Sequence, residues 1–346
     1  MKLEIESVVI GSDFQPKIIA EIGINHGGSL EIAKTMAVSA ISHGAHIIKH
    51  QTHIPLKEMS LEAELTVPGN SEKSIFQIME DCALQEDEEF ELARFIREQG
   101  GVFLSTPFCR EAVDLLMEIG VAAFKIGSGE CNNYPFVDYV ASKKLPIILS
   151  TGMNSVASIL PAVEILRSRK IPFVLMHTTN LYPTPQKLIR LSALQELNQA
   201  FPDAILGLSD HSVSNAACIA SIPLGARLLE RHFTDSKSRV GPDIPCSMDG
   251  KDLAELLHLT KGAFDALGGS KLPADEEKVT MNFAFASVAT LTDISKGDRF
   301  TMENIFPIRP SGGDFGPKDY QSILGLRANN FIKARTQLRA SDVEKL

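Results

Sequence analysis

The chain has 346 residues, of which 34 are Lys or Arg and 43 are Asp or Glu, giving a formal net charge of −9. It is 44% hydrophobic with a mean hydropathy of +0.03, which fits a folded protein with a sizeable core and excludes a mostly disordered chain. The acidic balance argues against a nucleic-acid or anionic-membrane partner, so any anion site must gather its cations locally.

The N-terminal segment and the cysteines together predict a cytoplasmic protein. The sequence has no apolar run of about 18 residues. Residues 1–16 mix charges into their apolar stretch and lack a signal-peptide core. The five cysteines are scattered without a Cys-x-x-Cys pair, which is typical of reduced thiols in a cytosol. They are Cys82, Cys109, Cys131, Cys218 and Cys246.

Short β-rich runs alternate with amphipathic helical patterns along most of the chain. The apolar runs are nearly continuous, as in strands buried on both faces, and helical patterns cover 29–45, 87–101 and 155–170. The predicted strands are 17–23, 46–52, 102–107, 123–129, 146–152, 173–179, 204–210 and 227–233.

This alternation predicts a parallel sheet with right-handed crossovers. Eight such units favour an α/β fold of the closed (β/α)8 type, a TIM barrel, over an open doubly wound sheet. The first strand-to-helix turn, GINHGGS at 23–29, also lacks the Gly-x-Gly-x-x-Gly fingerprint of dinucleotide-binding folds.

Two segments depart from the strand–helix repeat. About 50 residues separate the second run from the third, so 53–84 is predicted to be an insertion over the barrel mouth. After a helical pattern near 249–267, a polar stretch begins a linker at 268–284. Short β-like runs broken by Gly and Pro then predict a small, mostly β domain at 285–346, following a barrel at 1–267.

The predicted strands end in polar and charged residues. Active sites of such barrels lie at the C-terminal ends of the strands, and burying unpaired charge there is costly without a functional reason. The residues at these ends are Glu21, Asn25, Lys49, Gln51, Thr106, Lys125, Ser128, Glu130, Ser150, Thr178, Asn180, Ser209, His211, Glu230 and His232.

Lys49 and Lys125 predict an anion site. Two ammonium groups facing one cavity repel each other unless an anion lies between them, and a phosphate flanked by hydroxyl groups would satisfy both. Two alternatives stay open. Each lysine could pair with Glu21 or Glu130 in a structural network, or one could form a Schiff base.

His211 and His232 end neighbouring strands and could share one metal ion while leaving positions open for water and substrate. The alternative is a pair of structural histidines. Glu230, on the same face as His232, could orient that ligand or pair with Arg231 or Arg227. The other histidines are interpreted as structural, and Tyr182 is expected to line the mouth from a proline-rich loop.

Several motifs together resemble the bacterial sialic acid synthases, in the branch that makes N-acetylneuraminate. The resemblance runs from about residue 17 to the C-terminus, and the tail from Phe283 resembles the antifreeze-like (SAF) domain of that family. The motifs include IAEIGINHGGSLEIAK (19–34), IIKHQTH (47–53), FKIGSGECNNYP (124–135), HTTNLYPTP (177–185) and LERHFTD (229–235).

The resemblance implies a condensation of phosphoenolpyruvate with N-acetylmannosamine in a homodimer, with a divalent metal held by His211 and His232. That metal is typically Mn²⁺, with Mg²⁺ or Co²⁺ as alternatives. Glu21, Lys49, Lys125 and Glu130 are the implied catalytic residues. Phosphoenolpyruvate would be held by Lys49, Thr106, Lys125, Ser128, Ser150, Asn180 and Ser209, and the sugar by Glu21, Gln51, Asn70, Tyr182 and Asp243.

The resemblance also implies that Arg309, with Phe285 beside it, completes the active site of the partner subunit. The family's Arg-Pro-Gly reads Arg309-Pro310-Ser311 here, and the alternative is that Arg309 pairs with Asp314 in its own loop. Competing functions are synthesis of a related acid of the legionaminate or pseudaminate type, a Schiff-base sialic acid lyase, and an ice-binding protein on a barrel scaffold.

Overall fold

A computed structural model describes residues 2–68 and 72–344. The chain divides into two compact units, Met1–Gly268 and Gly269–Leu346. Within the described residues, the first unit contains an N-terminal hairpin and a sheet of eight parallel strands, and the second contains a short antiparallel sheet.

The hairpin, which the sequence did not predict, closes the bottom of the first unit. Its strands are β1 (Lys2–Ile5) and β2 (Val8–Gly11), paired antiparallel. Leu3, Ile5, Val8 and Ile10 are buried in one apolar cluster with residues of the parallel strands. Alternate burial along β1 explains why charged residues sit between its apolar ones.

The parallel strands confirm the predicted barrel. The order is β5-β4-β3-β10-β9-β8-β7-β6, and β5 contacts β6 so that the sheet is nearly closed. The strands are β3 (Lys17–Gly23), β4 (Ile47–Thr52), β5 (Val102–Pro107), β6 (Phe124–Ile126), β7 (Ile147–Ser150), β8 (Phe173–Thr178), β9 (Ile205–Ser209) and β10 (Ala226–His232).

Helices surround the barrel, and most of its crossover helices bury one apolar face against the strands. Across the described residues every helix is too short or too polar to cross a lipid bilayer. The helices are α1 (Leu30–Ser42), α2 (Pro55–Glu58), α3 (Ile75–Cys82), α4 (Glu86–Glu98), α5 (Arg110–Ile119), α6 (Tyr134–Ser142), α7 (Val156–Ser168), α8 (Ala193–Ala200), α9 (Ala216–Ser221), α10 (Gly250–Asp265), α11 (Lys278–Ala284) and α12 (Tyr320–Ile323).

The barrel interior changes from apolar to polar along each strand. Side chains two residues apart on a strand share a face. Ile19 and Glu21 therefore both point into the barrel, as do Ile47 and Lys49. Leu228 and Glu230 likewise share this orientation, and the apolar members belong to the same buried cluster as the hairpin. These strands thus place their buried, inward-facing charged side chains toward their C-terminal ends.

The second unit has its own core, and helix α11 lies in the segment predicted to be a linker. Strands β11 (Ser287–Thr290) and β12 (Ile305–Ile308) pair antiparallel. Val288, Ile294, Phe300 and Leu338 are buried together between them and the following loops. This small core matches the mostly β domain predicted from the broken apolar runs.

Candidate active site

A cavity of about 530 Å³ opens at the C-terminal ends of the barrel strands. The structure brings fourteen of the predicted site residues to its wall, together with Glu230 and an apolar side built largely from the insertion at 53–84. Those fourteen are Glu21, Lys49, Gln51, Thr106, Lys125, Ser128, Glu130, Ser150, Asn180, Tyr182, Ser209, His211, His232 and Asp243.

The remaining three predicted residues have a different outcome. Asn70 lies outside the described residues. Phe285 and Arg309 belong to the second unit, where both are exposed. Asp314, the alternative partner of Arg309, instead accepts from Arg339 at 3.1 Å and from the amide of Ala340 at 2.8 Å. The alternative pairing of Arg309 with Asp314 is therefore not formed.

Glu230 lies between the two lysines, which the sequence reasoning did not anticipate. Its Oε1 is 3.3 Å from Lys125 Nζ and 3.7 Å from Lys49 Nζ. Lys49 Nζ is also 2.6 Å from Glu21 Oε2. The predicted pairing of a lysine with Glu21 is thus present, whereas the second carboxylate is Glu230 rather than Glu130.

The pairing of Glu230 with Arg231 that was considered from sequence is wrong because of the strand register. Glu230 lies opposite Ser209 on β9 and faces inward. Arg231 points outward and donates to Asn215 Oδ1 and to the Ser212 carbonyl. Neighbouring positions on a strand face opposite sides, so Glu230 and Arg231 could not pair.

Burial and charge shift the titration of this network in opposite directions. Burial lowers the pKa of Lys125. Burial raises the pKa of Glu230, but the ammonium groups of Lys125 and Lys49 outweigh it and hold that pKa well below its usual range. For Glu21, burial dominates over the attraction of Lys49 and raises the pKa.

Hydroxyl groups surround the lysines. Lys49 Nζ donates to Thr106 Oγ1 at 3.2 Å, and Lys125 Nζ donates to Ser150 Oγ at 2.8 Å. Ser209 Oγ donates to Glu230 Oε1 at 3.3 Å. Together with Ser128, whose Oγ accepts from the Gly152 amide at 3.1 Å, these groups offer the donors that an oxyanion requires.

Buried polar atoms without a hydrogen-bond partner among the described residues concentrate here. They include Glu230 Oε2, Asn180 Oδ1, Thr178 Oγ1 and His232 Nδ1. An unsatisfied buried polar atom costs about 1–3 kcal/mol, and native structures keep few of them unless a ligand or water satisfies them. Their concentration marks this cavity as a binding site.

His211 and His232 face each other across the mouth, with ring centroids 5.3 Å apart. Burial lowers the pKa of each to about 3, so both imidazoles are neutral and suited to metal binding. His211 Nδ1 is 3.1 Å from the Thr179 carbonyl, which assigns its proton to Nδ1 and leaves Nε2 as a lone-pair donor.

The histidine pair fits the metal that the resemblance implies. His232 Nδ1 has no hydrogen-bond partner among the described residues and lies 3.6 Å from Asp243 Oδ2. Among residues 2–68 and 72–344, no third His, Cys, Asp or Glu is placed to bind a metal ion together with this pair. Two protein ligands would leave the remaining positions for substrate and water.

Tyr182 covers the histidines, as expected for a residue lining the mouth. Its ring stacks on His211 at a centroid distance of 4.2 Å and meets His232 edge-on at 5.7 Å. Asn180 Nδ2 is 3.5 Å from its hydroxyl. Burial raises the pKa of Asp243, on the same side, to about 6.

Glu130 is a carboxyl group poised to change charge near neutral pH. It ends a single 3-10 turn, Ser128–Glu130, after β6, and burial raises its pKa to about 7. Gly127 packs against it so closely that a Cβ there would lie 2.9 Å from Glu130 Oε2. A group titrating near the operating pH is suited to proton transfer.

His53 also lines the cavity, although the sequence favoured a structural role for it. It is buried, stacks on Phe108 at 4.3 Å, and contacts both Glu58 and Gln51. Residues of the apolar side include Ile75, Ile78 and Met79 of the insertion. Insertion residues have no strand register, so sequence pattern alone gave no signal for them.

Comparisons with known proteins agree with this geometry. A model of the NeuB family matches residues 36–271, and a model of the SAF domain matches 285–344. N,N'-diacetyllegionaminic acid synthase of Legionella pneumophila is 32% identical over 344 residues, covering 96% of each chain. Pseudaminic acid synthase of Campylobacter jejuni is 34% identical over 333 residues, covering 94% of this chain and 96% of that protein.

A solved structure with the same fold is N-acetylneuraminic acid synthetase from Leptospira borgpetersenii, in complex with citrate. It superposes with a TM-score of 0.73 at 29% identity and covers 81% of this chain and 95% of its own. A polar barrel mouth followed by a SAF domain defines a class of sialic-type acid synthases. The chain belongs to the NeuB family, and it is an enzyme of that class.

Proposed function

We propose that the protein condenses phosphoenolpyruvate with N-acetylmannosamine, releasing phosphate and forming N-acetylneuraminate. The observation that carries this proposal is one cavity holding two buried lysines beside two neutral imidazoles. The lysines suit an anionic phosphate ester, and the imidazoles suit a metal that binds the aldehyde of an open-chain sugar.

The phosphoenolpyruvate side is assigned to Lys49 and Lys125. The hydroxyl groups of Thr106, Ser128, Ser150 and Ser209 supply further donors, and Asn180 adds its amide. The carboxylate of Glu230 already lies between the two ammonium groups. A bound phosphate would therefore take the place of Glu230 as the hydrogen-bond acceptor of the lysines. Charge-assisted hydrogen bonds of this kind are about twice as strong as neutral ones.

The sugar side is assigned to Glu21, Gln51, Tyr182 and Asp243, with Asn70 from the segment outside the described residues. The sequence Lys49-His50-Gln51-Thr52 resembles the N-acetylneuraminate branch and supports N-acetylmannosamine. The second candidate is a precursor of the legionaminate or pseudaminate type, favoured by the names of the two relatives above.

His211 and His232 would hold the divalent metal, with Mn²⁺ as the first candidate and Mg²⁺ or Co²⁺ as alternatives. When bound, such an ion polarises a carbonyl group as a Lewis acid. The two histidines contribute neutral nitrogen ligands, and Tyr182 packs over His211 and helps to exclude water.

The chain's own groups would then guide the reaction. Carbon C3 of phosphoenolpyruvate attacks the aldehyde carbon, water adds to the cationic C2, and the tetrahedral species collapses with C–O cleavage. The carboxylates of Glu21 and Glu230 lie where they stabilise developing positive charge. Glu130 is assigned the proton transfer, because Glu21 is held by Lys49 at 2.6 Å whereas the pKa of Glu130 is near neutral.

A homodimer with a shared active site is also proposed. Arg309 is exposed, and Asp314, the nearest candidate for a counter-ion in its loop, is bound by Arg339. Arg309 would donate to the N-acetyl carbonyl of a sugar bound by the partner subunit, with Phe285 packed beside it.

The competing Schiff-base reaction has one supporting observation, because burial lowers the pKa of Lys125 and a neutral amine is nucleophilic. Borohydride with pyruvate separates the two reactions. Covalent trapping on Lys125 indicates a lyase, whereas activity that stops with EDTA and shows no trapping indicates the synthase.

The proposed substrate is tested with a panel of sugars. Purified protein, phosphoenolpyruvate and Mn²⁺ are incubated separately with N-acetylmannosamine, N-acetylglucosamine and the diacetamido trideoxyhexoses of the legionaminate and pseudaminate types. We expect the highest kcat/KM with N-acetylmannosamine. A higher value with a diacetamido sugar would overturn that assignment and keep the family activity.

A further inference from the structure

A series of hydrogen bonds connects Glu58 of the insertion with Lys49 in the barrel interior. Glu58 Oε1 is 2.9 Å from His53 Nδ1, and His53 Nε2 is 3.1 Å from Gln51 Oε1. Gln51 Nε2 donates to Glu21 Oε1 at 2.7 Å, and Glu21 Oε2 is 2.6 Å from Lys49 Nζ. Each link has hydrogen-bond length.

The donor and acceptor in each of these hydrogen bonds can be assigned from the two ends of the series, Lys49 and Glu58. Lys49 has only donors, so Glu21 accepts from it. The Gln51 amide presents N–H to Glu21 and therefore presents its carbonyl to His53, which must donate from Nε2. At the other ring nitrogen, Glu58 Oε1 is an acceptor, so His53 must donate from Nδ1 as well.

The Glu58 side chain is held in place through both of its oxygens. Its second oxygen, Oε2, accepts from the Ile54 amide at 3.3 Å, and the side chains of Glu58 and His53 are 2% and 3% exposed. A carboxylate and an imidazolium that face each other in a buried site stabilise each other's charge. Other titratable groups that interact electrostatically with the pair are Glu130 and Cys109, through Glu58, and His26, through His53.

We propose that His53 is a positioning residue: as an imidazolium held by Glu58, it fixes the Gln51 amide so that this amide donates to Glu21. The orientation leaves Gln51 with a second N–H for an acceptor on the bound sugar. The effect on catalysis rests on the proposed function, whereas the protonation of His53 and the orientation of Gln51 do not.

The Glu21→Gln substitution should reverse the donor and acceptor roles in the hydrogen bonds between Glu21, Gln51 and His53. Lys49 can only donate, so the carbonyl of the introduced amide must accept from Lys49 and its NH₂ group must face Gln51. The Gln51 amide then turns to accept, and its own NH₂ faces His53 Nε2. That nitrogen must therefore lose its proton, and His53 becomes neutral with its proton on Nδ1.

The test is ¹⁵N NMR of protein labelled at histidine and loaded with Mg²⁺, with the His53 signals assigned by their loss in His53→Gln. We expect both ring nitrogens of His53 to be protonated in the wild type, and only Nδ1 in Glu21→Gln. The matched control is Glu230→Gln, the same change at a carboxylate that contacts Lys49, Lys125 and Ser209. It should leave His53 doubly protonated.

A singly protonated His53 in the wild type would overturn the proposal, as would an equal response to the two carboxylate substitutions. These spectra need no turnover, so they decide the proposal even if the proposed function fails.

A kinetic comparison tests the positioning effect. His53→Gln keeps a donor for Gln51, whereas His53→Met has similar length and none. We expect the KM for the sugar to rise about tenfold in the Met variant and to change little in the Gln variant. Equal sugar KM values in two variants of equal thermal stability would show that His53 only fills space.

Discussion

Glu230 Oε1 lies 3.3 Å from Lys125 Nζ, so the barrel brings its own carboxylate to the lysine assigned to phosphoenolpyruvate. The same oxygen is 3.7 Å from Lys49 Nζ. Because the two ammonium groups hold the pKa of Glu230 low, this carboxylate stays charged and keeps the lysines from repelling each other. If the proposed assignment is correct, an incoming phosphate would replace an internal counter-ion rather than meet two unpaired cations.

Lys125→Met should weaken phosphoenolpyruvate binding through two effects. A charge-assisted hydrogen bond is lost, worth roughly 1.5–3 kcal/mol, and Glu230 is left to repel the phosphate. We expect the KM for phosphoenolpyruvate to rise by about 10- to 150-fold, with a much smaller change for the sugar.

Initial rates measured against each substrate give the two KM values. The double variant Lys125→Met/Glu230→Gln should bind phosphoenolpyruvate better than the single variant, because the repelling charge is gone. Equal changes in both KM values would mean that Lys125 is a structural cation.

His211→Ala and His232→Ala should each abolish turnover and weaken metal binding, since two protein ligands leave no spare. Metal bound per chain can be measured by mass spectrometry after dialysis against Mn²⁺. His177→Ala is a control, because that histidine contacts the Ile189 carbonyl at 2.6 Å away from the cavity. Full metal content in either ligand variant would remove this pair from the metal site.

Glu130 should make stability depend on pH. Its pKa rises from 4.5 to about 7 on folding because the group is buried. The folded state therefore holds the proton more tightly, and its stabilising contribution is lost as the pH rises toward 7. Glu130→Gln cannot titrate, so the variant should gain stability relative to the wild type between about pH 4.5 and 7, on the order of 3 kcal/mol.

The measurement is the difference in Tm between the wild type and Glu130→Gln across that pH range. A difference that does not vary with pH would mean that the Glu130 carboxyl is not shifted. The same substitution should remove a limb near pH 7 from the pH–rate profile, if Glu130 moves the proton as proposed.

Gly152 should tolerate no side chain. A Cβ there would lie 1.8 Å from Asn180 Oδ1 and 2.6 Å from Thr178 Cγ2, so Gly152→Ala must displace residues of the site. Overpacking of this kind costs about 1–3 kcal/mol. Gly129→Ala is the matched control, since a Cβ at Gly129 meets no atom within 4 Å. Thermal melting should show a lower Tm only for Gly152→Ala, and equal Tm values would contradict this packing.

The shared active site can be tested by mixing subunits. Arg309→Ala and His211→Ala chains should each be nearly inactive alone. When coexpressed, they should form heterodimers with one intact site, recovering up to about a quarter of the wild-type rate for statistical pairing. If verified heterodimers stay inactive, Arg309 acts within its own chain.

The barrel and the inner ring of the cavity were predictable from sequence because strand periodicity determines both. Runs such as Lys17–Gly23 are apolar until their last residues, so Glu21 and Lys49 had to lie at the same end of the sheet. The partner of Lys125 was not predictable, since Glu230 is more than 100 residues away and its contact depends on how the barrel closes. The hairpin β1–β2 was missed because its alternating charges resemble a solvated segment.

The role of the insertion was also beyond sequence pattern. Glu58 and His53 are five residues apart, yet the contact of His53 with both Glu58 and Gln51 depends on how residues 53–59 fold back over the strand end. Residues of this kind have neither strand nor helix periodicity to indicate which way they face. Among the periodic patterns in the sequence, only the apolar-to-polar change along the strands gave a signal for the site as a whole.

The most direct measurement uses phosphoenolpyruvate labelled with ¹⁸O in its bridging oxygen. The labelled compound is mixed with N-acetylmannosamine, Mn²⁺ and the protein, and ³¹P NMR and mass spectrometry follow the products. We predict equal amounts of phosphate and N-acetylneuraminate, with the label in the phosphate because the C–O bond breaks. Failure to release phosphate, or release of unlabelled phosphate, would contradict the proposed synthase reaction.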